Sequence, residues 1–149
     1  MSQPNTHQKL TNLDVLNFAR DWYEALDRHD PVDAVSEFLD DDDLTMRFPE
    51  GTFHGIAGFR RWYDKVINRF FDEVHRVNSV EVNFDDSGVA QVDVAVNWQA
   101  RVWNPPAAAS TWLGFDATQS WTVATVEGRP RITEYTVKDL KPMSGSGAL

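Results

Sequence analysis

Residues 80–103 read VEVNFDDSGVAQVDVAVNWQARVW, and their alternation decides the fold class. Val92, Val94, Val96, Trp98 and Val102 fall on one side of an extended chain, and Asp93, Asn97, Gln99 and Arg101 fall on the other. A period of two is that of a strand with one covered and one wet face. Asp85-Asp86-Ser87-Gly88 is a turn signal, because Asp and Ser side chains bond nearby backbone and glycine accepts a positive φ. A strand over about 74–84 therefore turns back into one over 89–103. The Pro-Pro pair at 105–106 cannot continue a ladder. Alternation resumes from Thr111 to Val126, with Leu113, Phe115, Ala117, Gln119, Trp121 and Val123 on one face. Glu127-Gly128 then turns the chain into a last strand, 131–140.

Upstream, the period changes to that of a helix. Leu13, Leu16, Ala19, Tyr23 and Leu26 recur at helical spacing, with Thr11 or Asn12 as the cap and Asp14 near the positive end of the dipole. Asp30-Pro31 restarts a short helix, the Asp capping it and the Pro taking the first helical position. Leu44 to Phe48 reads as a strand stopped by Pro49. The elbow RFPEGTFHG, 47–55, is a turn into a third helix that carries Ile56, Phe59, Tyr63, Val66 and Phe70 on one face, with Trp62 on its flank. Helices first and antiparallel strands second make an α+β domain. Its long curved antiparallel sheet wraps around about three N-terminal helices to form a cone, whose open end leaves a concave aromatic pocket. The expected layout is a disordered segment 1–10, one domain 11–142 and a flexible Gly/Ser-rich tail 143–149.

The 149 residues carry 14 Lys and Arg against 23 Asp and Glu, a net charge of −9. That balance opposes nucleic-acid binding, which needs clustered cations. With no cysteine, disulfides and thiolate chemistry are excluded, and a cytoplasmic location is expected. No apolar run is long enough to span a bilayer, so no membrane partner is expected. The four His lack the close spacing of a metal site, and the acidic run at 40–43 lacks a calcium-loop pattern. Neither a metal nor a cofactor is expected. No glycine-rich phosphate loop and no nucleophile-elbow serine is present.

The words FARDWYEALDRHDPVDAV at 18–35, LTMRFPEGTFHGIAGFRRWYD at 44–64 and EGRPRITEYTVKDL at 127–140, in this order of elements, resemble the nuclear transport factor 2-like superfamily, particularly its SnoaL-like branch. The resemblance covers about residues 11–142. It implies the cystatin-like cone and a homodimer formed through the sheet. It also implies a small apolar or aromatic ligand, with activities that range from ketosteroid isomerase, polyketide cyclase, scytalone dehydratase and epoxide hydrolase to none. Isomerases of this fold keep a base where Phe48 stands and an oxyanion-hole tyrosine in the register of Trp22. Their second acidic donor falls at Ser120 or Trp121. This chain therefore does not match ketosteroid isomerase chemistry. The epoxide hydrolases need an acid two residues after Arg101, where Trp103 stands. A cyclase-type acid could be Asp93, Asp116 or Asp139.

The residues themselves leave alternatives. His54 is a candidate acid/base, because imidazole titrates near neutrality, or a backbone cap at the start of the third helix. Tyr135 is a core aromatic or a hydrogen-bond donor into the pocket. Trp22, Phe48, Phe59, Trp62, Trp98, Gln119 and Trp121 are the expected pocket wall, and Gln119 is the polar group among aromatics that needs a partner or a ligand. Arg101 holds an anion if its face is concave, or lies in a wet interface if convex. Asp139 stands at the pocket mouth or pairs with a surface Lys. Two functions are carried forward. One is a cyclase-, dehydratase- or isomerase-type enzyme acting by proton transfer on a polyketide-like or aromatic substrate. The other is a non-catalytic ligand-binding or dimerisation module.

Overall fold

Thr11 starts the first helix. Its hydroxyl accepts the backbone N–H of Asp14, and the Asp14 carboxylate accepts the N–H of Thr11, a reciprocal capping box. In the computed structural model, which describes residues 9–149, α1 (Asn12–Asp27) and α2 (Val32–Ser36) lead into β1 (Thr45–Phe48) and β2 (Gly51–His54). These are followed by α3 (Gly55–Arg69), β3 (Phe70–Phe84), β4 (Ala90–Val102), β5 (Thr111–Val126) and β6 (Arg129–Pro142). Residues 1–8, most of the segment expected to be disordered, lie outside the described residues. Among the described residues no helix is long and apolar enough to cross a membrane.

The six strands form one unclosed, curved sheet in the order β2-β1-β6-β5-β4-β3. All neighbours are antiparallel except β1 and β6. The sheet is therefore mixed, and the reading of an antiparallel cone is corrected at that one ladder. The helices lie against the face that carries Val92, Val94, Val96, Trp121 and Val123, all buried. Binary alternation chose this face, as expected.

Two local expectations change. The elbow at 47–55 is a hairpin and not only a turn: Phe48 pairs with Gly51 and Thr45 with His54, so Pro49 and Glu50 alone make the connection. Proline fits there because a loop position needs no N–H for a ladder. Gly55, at φ +66, donates its N–H to Leu44 O at 2.8 Å and lets α3 start directly from β2. Asp30 does not cap α2, because both its oxygens take the Arg28 guanidinium instead. Such a bidentate fork outcompetes a single cap bond. Residues 143–149, expected as a flexible tail, lie along the end of β5. Met143 N–H bonds Gly114 O at 2.8 Å and Gly147 N–H bonds Trp112 O at 3.0 Å.

The feature that positions the site is in β3. It begins at Phe70 with no loop after α3, and its register against β4 slips between Phe71 and Val74. Asp72, at φ +51, is the extra residue. Such a bulge inverts the in/out parity of the residues after it, here as far as Val77, where a second slip before Ser79 returns Val80 and Val82 to the core side. Phe70 faces the core, but so do Glu73, His75 and Val77, while Phe71 (39 % exposed) and Val74 (57 % exposed) face out. Unbroken alternation from Phe70 would have buried Val74 and exposed Glu73 and His75.

A left-handed backbone is tolerated by Asp and Gly but costs a β-branched residue about 1–2 kcal/mol. Asp72→Val is expected to lose about that much stability in urea unfolding, while Asp72→Gly stays within about 0.5 kcal/mol of the natural chain.

Candidate active site

An acid at the last position of a helix meets the negative end of the macrodipole, so Asp27, the last residue of α1, needs compensation. It finds this on β3. Asp27 Oδ2 accepts the backbone N–H of His75 at 2.9 Å, and Oδ1 lies 2.5 Å from His75 Nδ1. A carboxylate only accepts, so Nδ1 carries a proton, and in the neutral imidazole Nε2 is the nitrogen with the lone pair. Nε2 has no hydrogen-bond partner among the described residues. The imidazole is held by its faces as well. Tyr23 stacks on it at 4.9 Å between centroids, and Trp98 lies at 6.3 Å and 22°.

His75 forms part of the wall of a cavity of about 570 Å³ between α3, the end of α1 and the concave sheet face. The wall is mostly aromatic and aliphatic, with Phe53, Tyr63, Val96 and Val137 among its members, and Glu50, Glu73, Gln119 and Tyr135 add polar atoms to it. Gln119 Oε1 accepts the Tyr23 hydroxyl at 2.7 Å and the Trp121 indole N–H at 3.1 Å. An indole nitrogen can only donate, which fixes the amide orientation and leaves Gln119 Nε2 as a donor on the Tyr135 side. The Tyr135 hydroxyl lies beside Gln119, Tyr23 and Trp22. The Trp22 N–H comes near it without reaching hydrogen-bond geometry. Burial pushes the Tyr135 phenol up to about 12, against weaker lowering by those three neighbours. Burial, followed by the Tyr135 interaction, raises Tyr23 well above its ordinary value. Both hydroxyls therefore stay protonated at neutral pH.

The expected wall divides in two. Phe48, Trp62, Trp98, Gln119 and Tyr135 line the cavity. Trp22, Phe59 and Trp121 do not: all three are fully buried behind it. Trp22 packs against Phe38, Phe59 and Tyr135 at centroid distances of 5.7, 6.3 and 5.8 Å, because the stripe of α1 that carries it is the one the sheet covers.

His54 is corrected as an acid/base candidate. It is exposed at the residue before α3, makes no side-chain cap bond, and is not among the cavity residues. Glu50, the acid nearest to it in sequence, instead accepts the Trp62 indole N–H at 2.9 Å. Arg101 is exposed on the outer face and donates to Ser110 Oγ at 3.3 Å. Asp139 is also a surface residue, 3.7 Å from Lys141 Nζ. The residues that sequence reasoning missed are Asp27, His29, Glu73 and His75. The available signal was the acid at the C-terminal end of α1, which the dipole disfavours.

A family model described as a SnoaL-like domain matches residues 10–136. No curated protein matches the chain. Among solved structures, a provisionally assigned scytalone dehydratase from Novosphingobium aromaticivorans is similar with a TM-score of 0.75 and 13 % identity, over 92 % of this chain and 88 % of that one. Hexachlorocyclohexane dehydrochlorinase LinA-type3 from Novosphingobium barchaimii LL02 gives 0.72 and 13 %, over 92 % of each chain. ActVI-ORFA from Streptomyces coelicolor gives 0.66 and 14 %, over 85 % and 94 %. These likenesses are of fold.

A phenol whose pKa is raised by folding contributes stability that is complete below its unfolded value and is lost as pH rises through its folded value. The urea midpoint is therefore expected to fall between pH 10 and about 12. Tyr135→Phe should flatten that fall by roughly 2–3 kcal/mol, the linkage equivalent of two pKa units.

Proposed function

The chain belongs to the SnoaL-like family, and we propose that it is an enzyme that removes a proton from a small, mostly apolar molecule, in an elimination or isomerisation. The observation that carries this reading is the Asp27–His75 pair at the cavity wall. Its order is that of an oriented general base: the acid behind fixes tautomer and ring, and the far nitrogen is free toward the cavity. Gln119 Nε2 and the Tyr135 hydroxyl suit the negative charge that develops on a substrate carbonyl as its neighbouring C–H ionises. The aromatic wall of Phe48, Trp62 and Trp98 suits an aromatic or polyketide-like body. Two structural neighbours carry the names dehydratase, provisionally, and dehydrochlorinase, both of which denote eliminations, and this supports the reading.

The test is the elimination of 5-nitrobenzisoxazole, a flat apolar probe that opens when a base takes its single acidic C–H. The protein is expected to accelerate this opening, and His75→Ala should lower the rate by at least about 10²-fold, the usual contribution of a positioned base. Asp27→Asn should fall in the same direction, because an amide at that position no longer enforces the tautomer. A natural chain no faster than the His75→Ala variant would leave a ligand-binding module as the reading.

The homodimer implied by the resemblance is proposed on the outer sheet face, where Phe71, Val74 and Trp103 expose apolar area. Light scattering is expected to give twice the 17.0 kDa chain mass, and Val74→Asp to give one.

A further inference from the structure

The cavity holds a second imidazole–carboxylate pair, arranged in the opposite order. Glu73 forms part of the wall, its side chain only 4 % exposed. Its Oε1 accepts the Trp98 indole N–H at 3.0 Å, and its Oε2 meets His29 Nε2. His29 stands behind it in the turn after α1 and is 26 % exposed at its side chain. In the Asp27–His75 pair the imidazole faces the cavity. Here the carboxyl does, and the imidazole reaches from it toward water.

Stability alone does not account for this arrangement. Burying an acid and an imidazole costs desolvation that a pair of apolar side chains would avoid. His75 justifies the bulge at Asp72 but not an acid at position 73, where an apolar residue would fill the same space. Three described non-glycine residues have positive φ, and two of them, His29 and Asp72, serve to bring this pair together. Backbone strain gathered at one cluster is a mark of a functional constraint.

We infer that Glu73, supplied with a proton through His29, is the general acid that protonates the departing group while His75 takes the C–H proton. This rests on the reading of His75 as the base. Glu73 and His75 leave the same strand face two residues apart, about 6.6 Å along the chain, which leaves room for a pair of adjacent reacting carbons. In a β-hydroxy carbonyl substrate, His75 Nε2 takes the proton beside the carbonyl and the C–H electron pair becomes the new C=C bond. The C–O bond breaks with its pair on oxygen, and the Glu73 proton turns that oxygen into water. His29 passes its proton to Glu73 and regains one from solvent at its exposed edge, and His75 releases its proton in turn. The substrate class is thus one whose leaving group needs a proton, a hydroxyl and not a halide.

The experiment compares two probes that share the same C–H cleavage. In unsubstituted 1,2-benzisoxazole the departing phenolate is more basic than in 5-nitrobenzisoxazole, so it depends more on an acid. In both, the C–H pair forms the nitrile, the N–O bond breaks, and the phenolate oxygen receives the proton. Glu73→Gln, which is isosteric, is expected to lower kcat for the unsubstituted probe by about 10²-fold, and by at least ten times more than for the nitro probe. His29→Gln should show the same split, and it carries the comparison if Glu73→Gln does not fold. Equal losses on both probes, or none, with turnover still dependent on His75, would overturn the acid role alone. Turnover independent of His75 would overturn the base reading and this inference with it.

Discussion

Side chains alternate along a strand, so one inserted residue reverses which of them meet the core. Asp72 is that residue in β3, and the chemistry of the cavity depends on it. Before the bulge, Phe70 packs inward against Trp98 at 5.1 Å between centroids. After it, the inward positions are Glu73 and His75. The arrangement leaves Val74 mostly exposed and puts an acid and an imidazole where a valine would lie more favourably. The rest of the molecule is consistent with that local conflict. α1 ends where Asp27 can clamp His75 by ring and backbone at once, and the turn after it brings His29 to Glu73.

The apolar structure divides its aromatics by depth. Trp22, Phe59 and Trp121 are sealed into the cluster between helices and sheet, where each large side chain contributes on the order of 3–5 kcal/mol against truncation. Phe48, Trp62 and Trp98 stand one layer further out. Phe48 and Trp62 are stacked at 4.2 Å and 5°, a rigid wall that needs no ligand to hold its shape. Two of the polar donors between these layers are paired from the core side: Tyr23 and Trp121 both donate to the side-chain oxygen of Gln119. The Nε2 of Gln119 is left for Tyr135 and for the cavity that both residues line. A buried amide satisfied on one side and open on the other suits a site better than a core.

The pocket wall was partly legible because strand alternation is a strong rule. Trp98 and Gln119 followed from period two on β4 and β5, and both line the cavity. The catalytic candidates were not legible. His54 stood out in sequence because glycine, proline and an acid surround it, but those residues serve a two-residue hairpin turn and the start of α3. His75 has no such surroundings, and its partner lies 48 residues away. Only the dipole-opposed Asp27 hinted at a contact to come. The missed β2 has the same origin, because a four-residue strand between a proline and a helix shows too little alternation to register.

The amino-acid sequence by itself determined the α+β class, the covered face of β4 and β5, a cap at Thr11 or Asn12 for α1 and the cone with its aromatic interior. Each of these follows from a pattern local in the chain, a period or a cap, that any tertiary arrangement must satisfy. The tertiary structure alone decided which histidine meets a carboxylate, which tryptophans are core and which are wall, and that β1 joins β6 in parallel. Those outcomes depend on the bulge at Asp72 and on contacts between residues far apart in sequence. A bulge leaves no periodic trace, because it is defined by a partner strand that the local sequence does not contain.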